Sequence, residues 1–174
     1  MDSLTPTGWP EMSKATATVE DSNEPSLGFQ IKRILVAVDG SENSMRAAKV
    51  AIEMAKGAQA ELVLLNVVPA TFLLPSPFGS NVFQQQVEDA KEAATKIERT
   101  IAELAKNVGV KDVRCLVESS DSSVVESIIE KAEKERVDLI VIGTRGLGGF
   151  KRLLLGSVST GVVTHAHCNV LVVR

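Results

Sequence analysis

The chain has 174 residues, with 19 Lys and Arg against 22 Asp and Glu, a formal charge of −3. That balance excludes a nucleic-acid binder or an acidic tail protein, and the length suits one ordinary domain with an appendage. With 44% hydrophobic residues but only 3% aromatics, the core has to be built from Val, Ile, Leu and Ala, a globular composition. Two cysteines, Cys115 and Cys168, are too few for a disulfide framework and point to a reducing cytoplasm. No basic region leading into an apolar run opens the chain, so no secretory signal is expected. The longest uncharged stretch, Leu62 to Val87, contains Pro69, Pro75, Pro77 and Gly79, which excludes a membrane-spanning helix.

Residues 1–30 lack an apolar period, carry three prolines and set five acids against one Lys. They are expected to form a disordered tail, with residues 31–174 as the single folded domain. Trp9, the only tryptophan, is either a stray tail residue or an anchor for a partner.

From residue 31 onward, short apolar runs alternate with longer amphipathic ones. The run 31–38, IKRILVAV, is β-branched and nearly continuous, as in a strand covered on both faces. Ser41 then stands where a helix cap belongs, Met45, Ala48, Ile52 and Ala55 share one helical face, and Gly57 is expected to close that helix. A second buried strand covers 60–67. A long loop over 68–83 follows, holding Phe72, Phe78 and Phe83, and reads as a lid, a contact surface or a cover for the core's rim. From about residue 84 to 107, Val87, Ala90, Ala94, Ile97, Ile101 and Leu104 recur at helical spacing, and Gly109 ends the run. The segment 110–118 alternates, with Val113, Cys115 and Val117 on one side, which marks a half-exposed edge strand. Ser123 and Glu126 fit a capping box ahead of a stripe of Val124, Val125, Ile128, Ile129 and Ala132. A fourth strand at 137–143, a short helix from 156 to about 167 and a fifth strand at 169–174 complete the chain. Five strands alternating with four helices, without a hairpin signal, predict one doubly wound α/β domain around a parallel sheet.

The densest chemical signal is GTRGLGGFKRLLLGSVS, from Gly143 to Ser159. Glycines between a buried strand and a helix let backbone approach a ligand closely. The helix opening at Gly156, Ser157 and Val158 offers free N–H groups and a dipole that favours an anion. Strand, glycine loop and helix N-terminus together describe a phosphate cradle. The Walker A and dinucleotide fingerprints both fail: no Gly-Lys-Ser/Thr occurs, and the first strand is followed only by Asp39, Gly40 and Ser41.

What fits is Gly143-x2-Gly146-x9-Gly156-Ser157. Together with VAVDGS at 36–41 and a closing LVV strand, this spacing resembles the universal stress protein (UspA-like) family in its ATP-binding branch, over roughly residues 31–174. The resemblance implies a five-stranded parallel sheet in the order 3-2-1-4-5, a Rossmann-like, adenine nucleotide alpha hydrolase-like fold. Ligands on such sheets bind where the order reverses, which brings Asp39 and Gly143 to one crevice. The resemblance further implies ATP with Mg2+ as ligand. Val38 and Asp39 then line the adenine and ribose end, and Val67 packs near the base. Ile142 and Gly143 meet the ribose or phosphates, while Gly146, Gly156, Ser157 and Val158 hold the phosphates. Lys151 and Arg152 either add phosphate contacts or belong to a solvated basic face. Asp39 either bonds the nucleoside or water-bridged Mg2+, or simply serves the turn before a helix.

His165, His167 and Cys168 lack a distant fourth ligand, so no protein metal site is expected. His167 and Asn169 stand where family members often carry Pro. No catalytic triad, Walker B acid or arginine finger is assigned, which favours binding over turnover. The final strand, apolar and without an inward charge, invites pairing with a second copy at 169–174, and the resemblance implies the same homodimer. The function expected is a cytoplasmic, nucleotide-dependent stress-response module, without a nucleic-acid or membrane partner. The alternatives are a slow ATPase or other nucleotide-dependent enzyme, and a nucleotide-free dimeric interaction protein.

Overall fold

The computed structural model describes residues 30–69, 80–120, 123–147 and 155–174. The expected tail and the tip of the 68–83 loop, with Phe72 and Phe78, lie outside the described residues, as do Lys151 and Arg152. Nine elements follow in order: β1 (Arg33–Ala37), α1 (Glu42–Ala58), β2 (Glu61–Pro69), α2 (Ser80–Val108), β3 (Val113–Ser120), α3 (Val124–Lys134), β4 (Leu139–Gly143), α4 (Ser157–His165) and β5 (Asn169–Val173). They build one parallel sheet in the order β3-β2-β1-β4-β5.

The alternation of side chains along a strand makes two cores from this one sheet. Ile34, Val36, Leu62, Leu64 and Val141 face α1 and α2, while Leu35, Val63, Leu65, Ile140 and Ile142 face α3 and α4. Central strands are therefore apolar on both faces, as the continuous runs predicted. Strand β3, at the edge, is half-exposed.

The caps set the helix bounds. Ser41 caps α1, and Ser123 with Glu126 forms the expected capping box of α3. Gly57 does not close α1. The helix runs through it to Gln59, which takes the left-handed conformation (φ 52°) and turns its N–H back to Ala55 and Lys56. Helix α2 starts four residues before the expected position. Cys115 lies on the α2 side of β3, its thiol 4.0 Å from the Glu98 carbonyl, but at the sheet edge it stays exposed. Among the described residues no helix is long and apolar enough to cross a membrane.

At the N-terminal end of the sheet, Glu61 of β2 joins Arg33 of β1 (2.6 Å) and Arg114 of β3, and Arg114 reaches Glu135 at 2.7 Å. Burial pushes the Glu61 carboxyl up, but the hydrogen bonds and charges of Arg33 and Arg114 outweigh it and hold the group below its ordinary value of 4.5. A depressed folded-state value means stability that is complete above the unfolded value and lost as pH falls through the folded one. Glu61→Gln should therefore cost about 2 kcal/mol at neutral pH and lose that difference on acidification below about pH 4, measured by urea denaturation across pH.

Candidate functional site

The strand order reverses between β1 and β4, and their crossovers leave toward opposite faces of the sheet, opening a crevice at the strand C-terminal ends. Two turns meet there. In the turn after β1, the Ser41 hydroxyl accepts the Ser44 N–H (3.2 Å) and the Ser44 hydroxyl donates to the Ser41 carbonyl (3.0 Å). Asp39 uses both carboxylate oxygens: Oδ1 accepts the Ser41 N–H at 2.9 Å, and Oδ2 accepts the Leu147 N–H, from the turn after β4, at 3.0 Å. The Ser41 hydroxyl also donates to the Arg145 carbonyl at 3.4 Å. One carboxylate and one hydroxyl thus stitch the two turns together.

That closeness explains two of the glycines. A Cβ at Gly143 would lie 2.8 Å from the Asn43 backbone, and one at Gly146 would overlap the Asp39 carboxylate. Gly143 has no space for a side chain, and one at Gly146 would have to displace the Asp39 carboxylate.

The far end of the glycine-rich segment returns to the same place. Thr144 donates its N–H to the Val173 carbonyl (2.8 Å), and its own carbonyl accepts the Gly156 N–H (2.7 Å) and the Ser159 hydroxyl (2.9 Å). The Thr144 hydroxyl is buried and has no partner among the described residues. Helix α4 begins with Gly156 as an N-cap that supplies no side chain, and its first turn has no acid. The first intrahelical bond runs from the Thr160 N–H to the Gly156 carbonyl. The N–H groups of Ser157, Val158 and Ser159 precede it, so helical geometry gives them no partner.

The structure brings Asp39, Gly143, Gly146 and the Gly156–Ser157 helix start to one crevice. Ser157 is exposed and Val158 half-buried. Val38 and Ile142 are core residues, 3% and 5% exposed, so only their backbone faces the crevice. Val67 is half-buried on the α3 and α4 side, opposite Val38. The expected donor role of Gly156 needs correction, because its N–H is engaged by Thr144. Thr144, Ser44 and Ser159 were not anticipated; the signal was their place beside Gly143, Ser41 and Ser157. Among the described residues no cluster of three or more His, Cys, Asp or Glu side chains forms a metal site.

The model of the universal stress protein family matches residues 30–174. The chain belongs to the universal stress protein family. It is 37% identical over 146 residues to a universal stress protein of Methanocaldococcus jannaschii, covering 82% of each chain. Its fold is similar to that of the universal stress protein UspA from Lactobacillus plantarum, with a TM-score of 0.77 and 26% identity over 84% of this chain and 99% of that one. It is also similar to a universal stress protein family protein of Arabidopsis thaliana with AMP bound, with a TM-score of 0.59 and 21% identity over 82% and 90% of the two chains.

In this universal stress protein the Asp39 bridge is directly testable. Asp39→Asn keeps the shape but turns an amide N–H toward one of the two backbone donors. It should cost about 2 kcal/mol and lower protection of the Leu147 amide in hydrogen exchange at least about tenfold.

Proposed function

We propose that this universal stress protein binds one adenine nucleotide per chain, ATP with Mg2+, in the crevice between β1 and β4. Its occupancy would make the protein a nucleotide-dependent regulatory module of the stress response in the cytoplasm. The observation that carries this reading is the convergence of Asp39, Gly146 and the uncapped start of α4 around Thr144. The N–H groups of Ser157, Val158 and Ser159 and the Ser157 hydroxyl would receive the phosphates, where the helix dipole favours an anion. Gly143 and Gly146 keep side chains off the crevice floor. The Ile142 backbone and Gly143 would meet the ribose or phosphates. Asp39 would take the ribose or a water on Mg2+, with the Val38 backbone and the Val67 side chain near the base. The unpartnered Thr144 hydroxyl adds a polar group that a ligand could satisfy. Lys151 and Arg152 remain candidate phosphate contacts and are not needed for this reading. The AMP on the Arabidopsis neighbour fits an adenine ligand.

Binding is favoured over turnover, with slow ATP hydrolysis as the second reading. Both Asp39 oxygens already accept backbone N–H groups, and His165 lies at the far end of α4 from Ser157. Calorimetric titration of nucleotide-free protein with ATP and Mg2+ should give one site per chain. Gly146→Val should weaken affinity at least about tenfold. Absence of heat from the wild-type chain, or unchanged affinity in Gly146→Val, would overturn the reading.

A homodimer through β5 belongs to the same proposal. Val170, Leu171, Val172 and Val173 are each only half-buried at the sheet edge, and no charged residue interrupts them. Because Val173 bonds toward β4, the alternation of a strand turns the N–H groups of Val170 and Val172 to the open side. Val172→Pro should therefore leave the sheet folded and give a monomer in sedimentation; a dimer that survives it uses another surface.

A further inference from the structure

Helix α2 buries one carboxyl. Glu98 is 2% exposed and lies on the same helical face as the buried Ala94, Ile101, Ala102 and Ala105. Its Oε1 has no hydrogen-bond partner among the described residues. The elements packed on α2 are β2, β3 and α1. From β3, the Cys115 thiol lies against the Glu98 backbone carbonyl at 4.0 Å, while Arg114 is turned to Glu61 and Glu135, and Glu118 to Lys131. From β2, Glu61 is held by Arg33 and Arg114, and the buried Asn66 is neutral. On α1, Arg46 pairs with Glu42, and Lys49, Glu53 and Lys56 are exposed. On α2 itself, Lys91, Lys96 and Arg99 pair with Glu88, Glu92 and Glu103, and Lys106 is exposed. Among the described residues, then, no cation is paired with Glu98.

The neighbouring residue carries the consequence to the crevice. Gly40, at φ +80°, is the turn residue beside Asp39, and a Cβ there would stand 2.8 Å from the Ile97 Cδ1. Ile97 therefore rests on the turn that presents the Asp39 carboxylate. A buried carboxyl without a counter-ion is tolerated when neutral and costly when charged.

We propose that Glu98 is a proton-operated latch: neutral, it lets α2 seat on β2 and β3 with Ile97 pressed on the Asp39–Gly40 turn, and ionised, it lifts that seat and loosens the turn. The latch is a property of the chain's own conformational equilibrium and does not depend on a bound nucleotide. Burial pushes the Glu98 carboxyl up to about 7, against an opposing pull from the backbone at Leu116 and Asn66, which sets the latch near neutral pH. Between the ordinary value of 4.5 and about 7 the folded chain binds more protons than the unfolded one, so stability falls as pH rises through that window and levels off above it.

The test compares the wild-type chain with Glu98→Gln, which is neutral at every pH. The ratio of their folding equilibrium constants should shift by on the order of 100-fold in favour of the variant between about pH 4.5 and about pH 7.5. Above neutral pH, amides of residues 40–45 in the wild type should exchange faster than in the variant, with no difference at about pH 5. A pH-independent ratio with equal exchange would overturn the latch. Should the variant fold poorly, carbon-13 titration of the Glu98 side chain in the wild-type protein decides the matter. A midpoint near 7, moving together with the Gly40 and Ile97 resonances, supports the latch, and a midpoint in the ordinary carboxylate range overturns it.

Discussion

The molecule's crevice depends on one carboxylate that spans two chain segments far apart in sequence. In a parallel sheet of order β3-β2-β1-β4-β5, the ladder joins β1 to β4 only as far as Ala37 and Ile142. Beyond that point the crossovers leave for opposite faces, and backbone donors at the strand tips need other partners. Asp39 answers for both sides, accepting from Ser41 within its own turn and from Leu147 in the other. The glycines follow from that bridge. With α1 starting so close to β4, a Cβ at Gly143 would strike the Asn43 backbone, and a Cβ at Gly146 would displace the bridging carboxylate itself. Thr144 closes the other side by receiving the Gly156 N–H and the Ser159 hydroxyl, so that the start of α4 is fixed to the tip of β4.

The two edges of the sheet are built differently. Strand β3 presents Arg114 and Glu118, tied to Glu61, Glu135 and Lys131, and such charged edges resist strand addition. Strand β5 presents only Asn169 and aliphatic residues, on a strand whose other side is fully paired to β4. An apolar edge left open is a hazard in a monomer and an asset in an assembly. The asymmetry makes β5, rather than β3, the edge through which the proposed homodimer would form.

Much of this was legible in the sequence because local signals and global packing agree. Continuous apolar runs give the doubly covered strands, and Ser41 and Ser123 give the helix starts. The misses share a cause: a local signal outvoted by tertiary contact. Gly57 reads as a stop, yet α1 ends where the Ala60 N–H can return to the Ala55 carbonyl, which puts Gln59 in the left-handed turn. An apolar stripe through α2 includes Leu104, but Leu104 is 42% exposed and the buried face runs through Glu98 instead. A pattern that weighs only apolar residues steps over a buried acid. Glycine spacing and the strand order that the resemblance implies point to the crevice but not to Thr144 and Ser159, whose part depends on which carbonyls lie unpaired after folding.

The same bridge gives the proposed regulatory reading a physical route. In the structure both Asp39 oxygens are engaged, one of them by the backbone of Leu147. A ligand that takes Asp39 for its ribose or a metal-bound water has to share or replace the Leu147 bond. Occupancy and the position of residues 145–147 are then linked by a competition for one acceptor, and a ligand shifts that equilibrium only by the difference in its affinity for the two arrangements. One charge-assisted hydrogen bond, of order 2 kcal/mol, corresponds to roughly a thirtyfold shift in such an equilibrium. That is large enough to change the surface the chain offers to a partner and small enough to reverse when the ligand leaves. A site organised this way does not need turnover to transmit a signal.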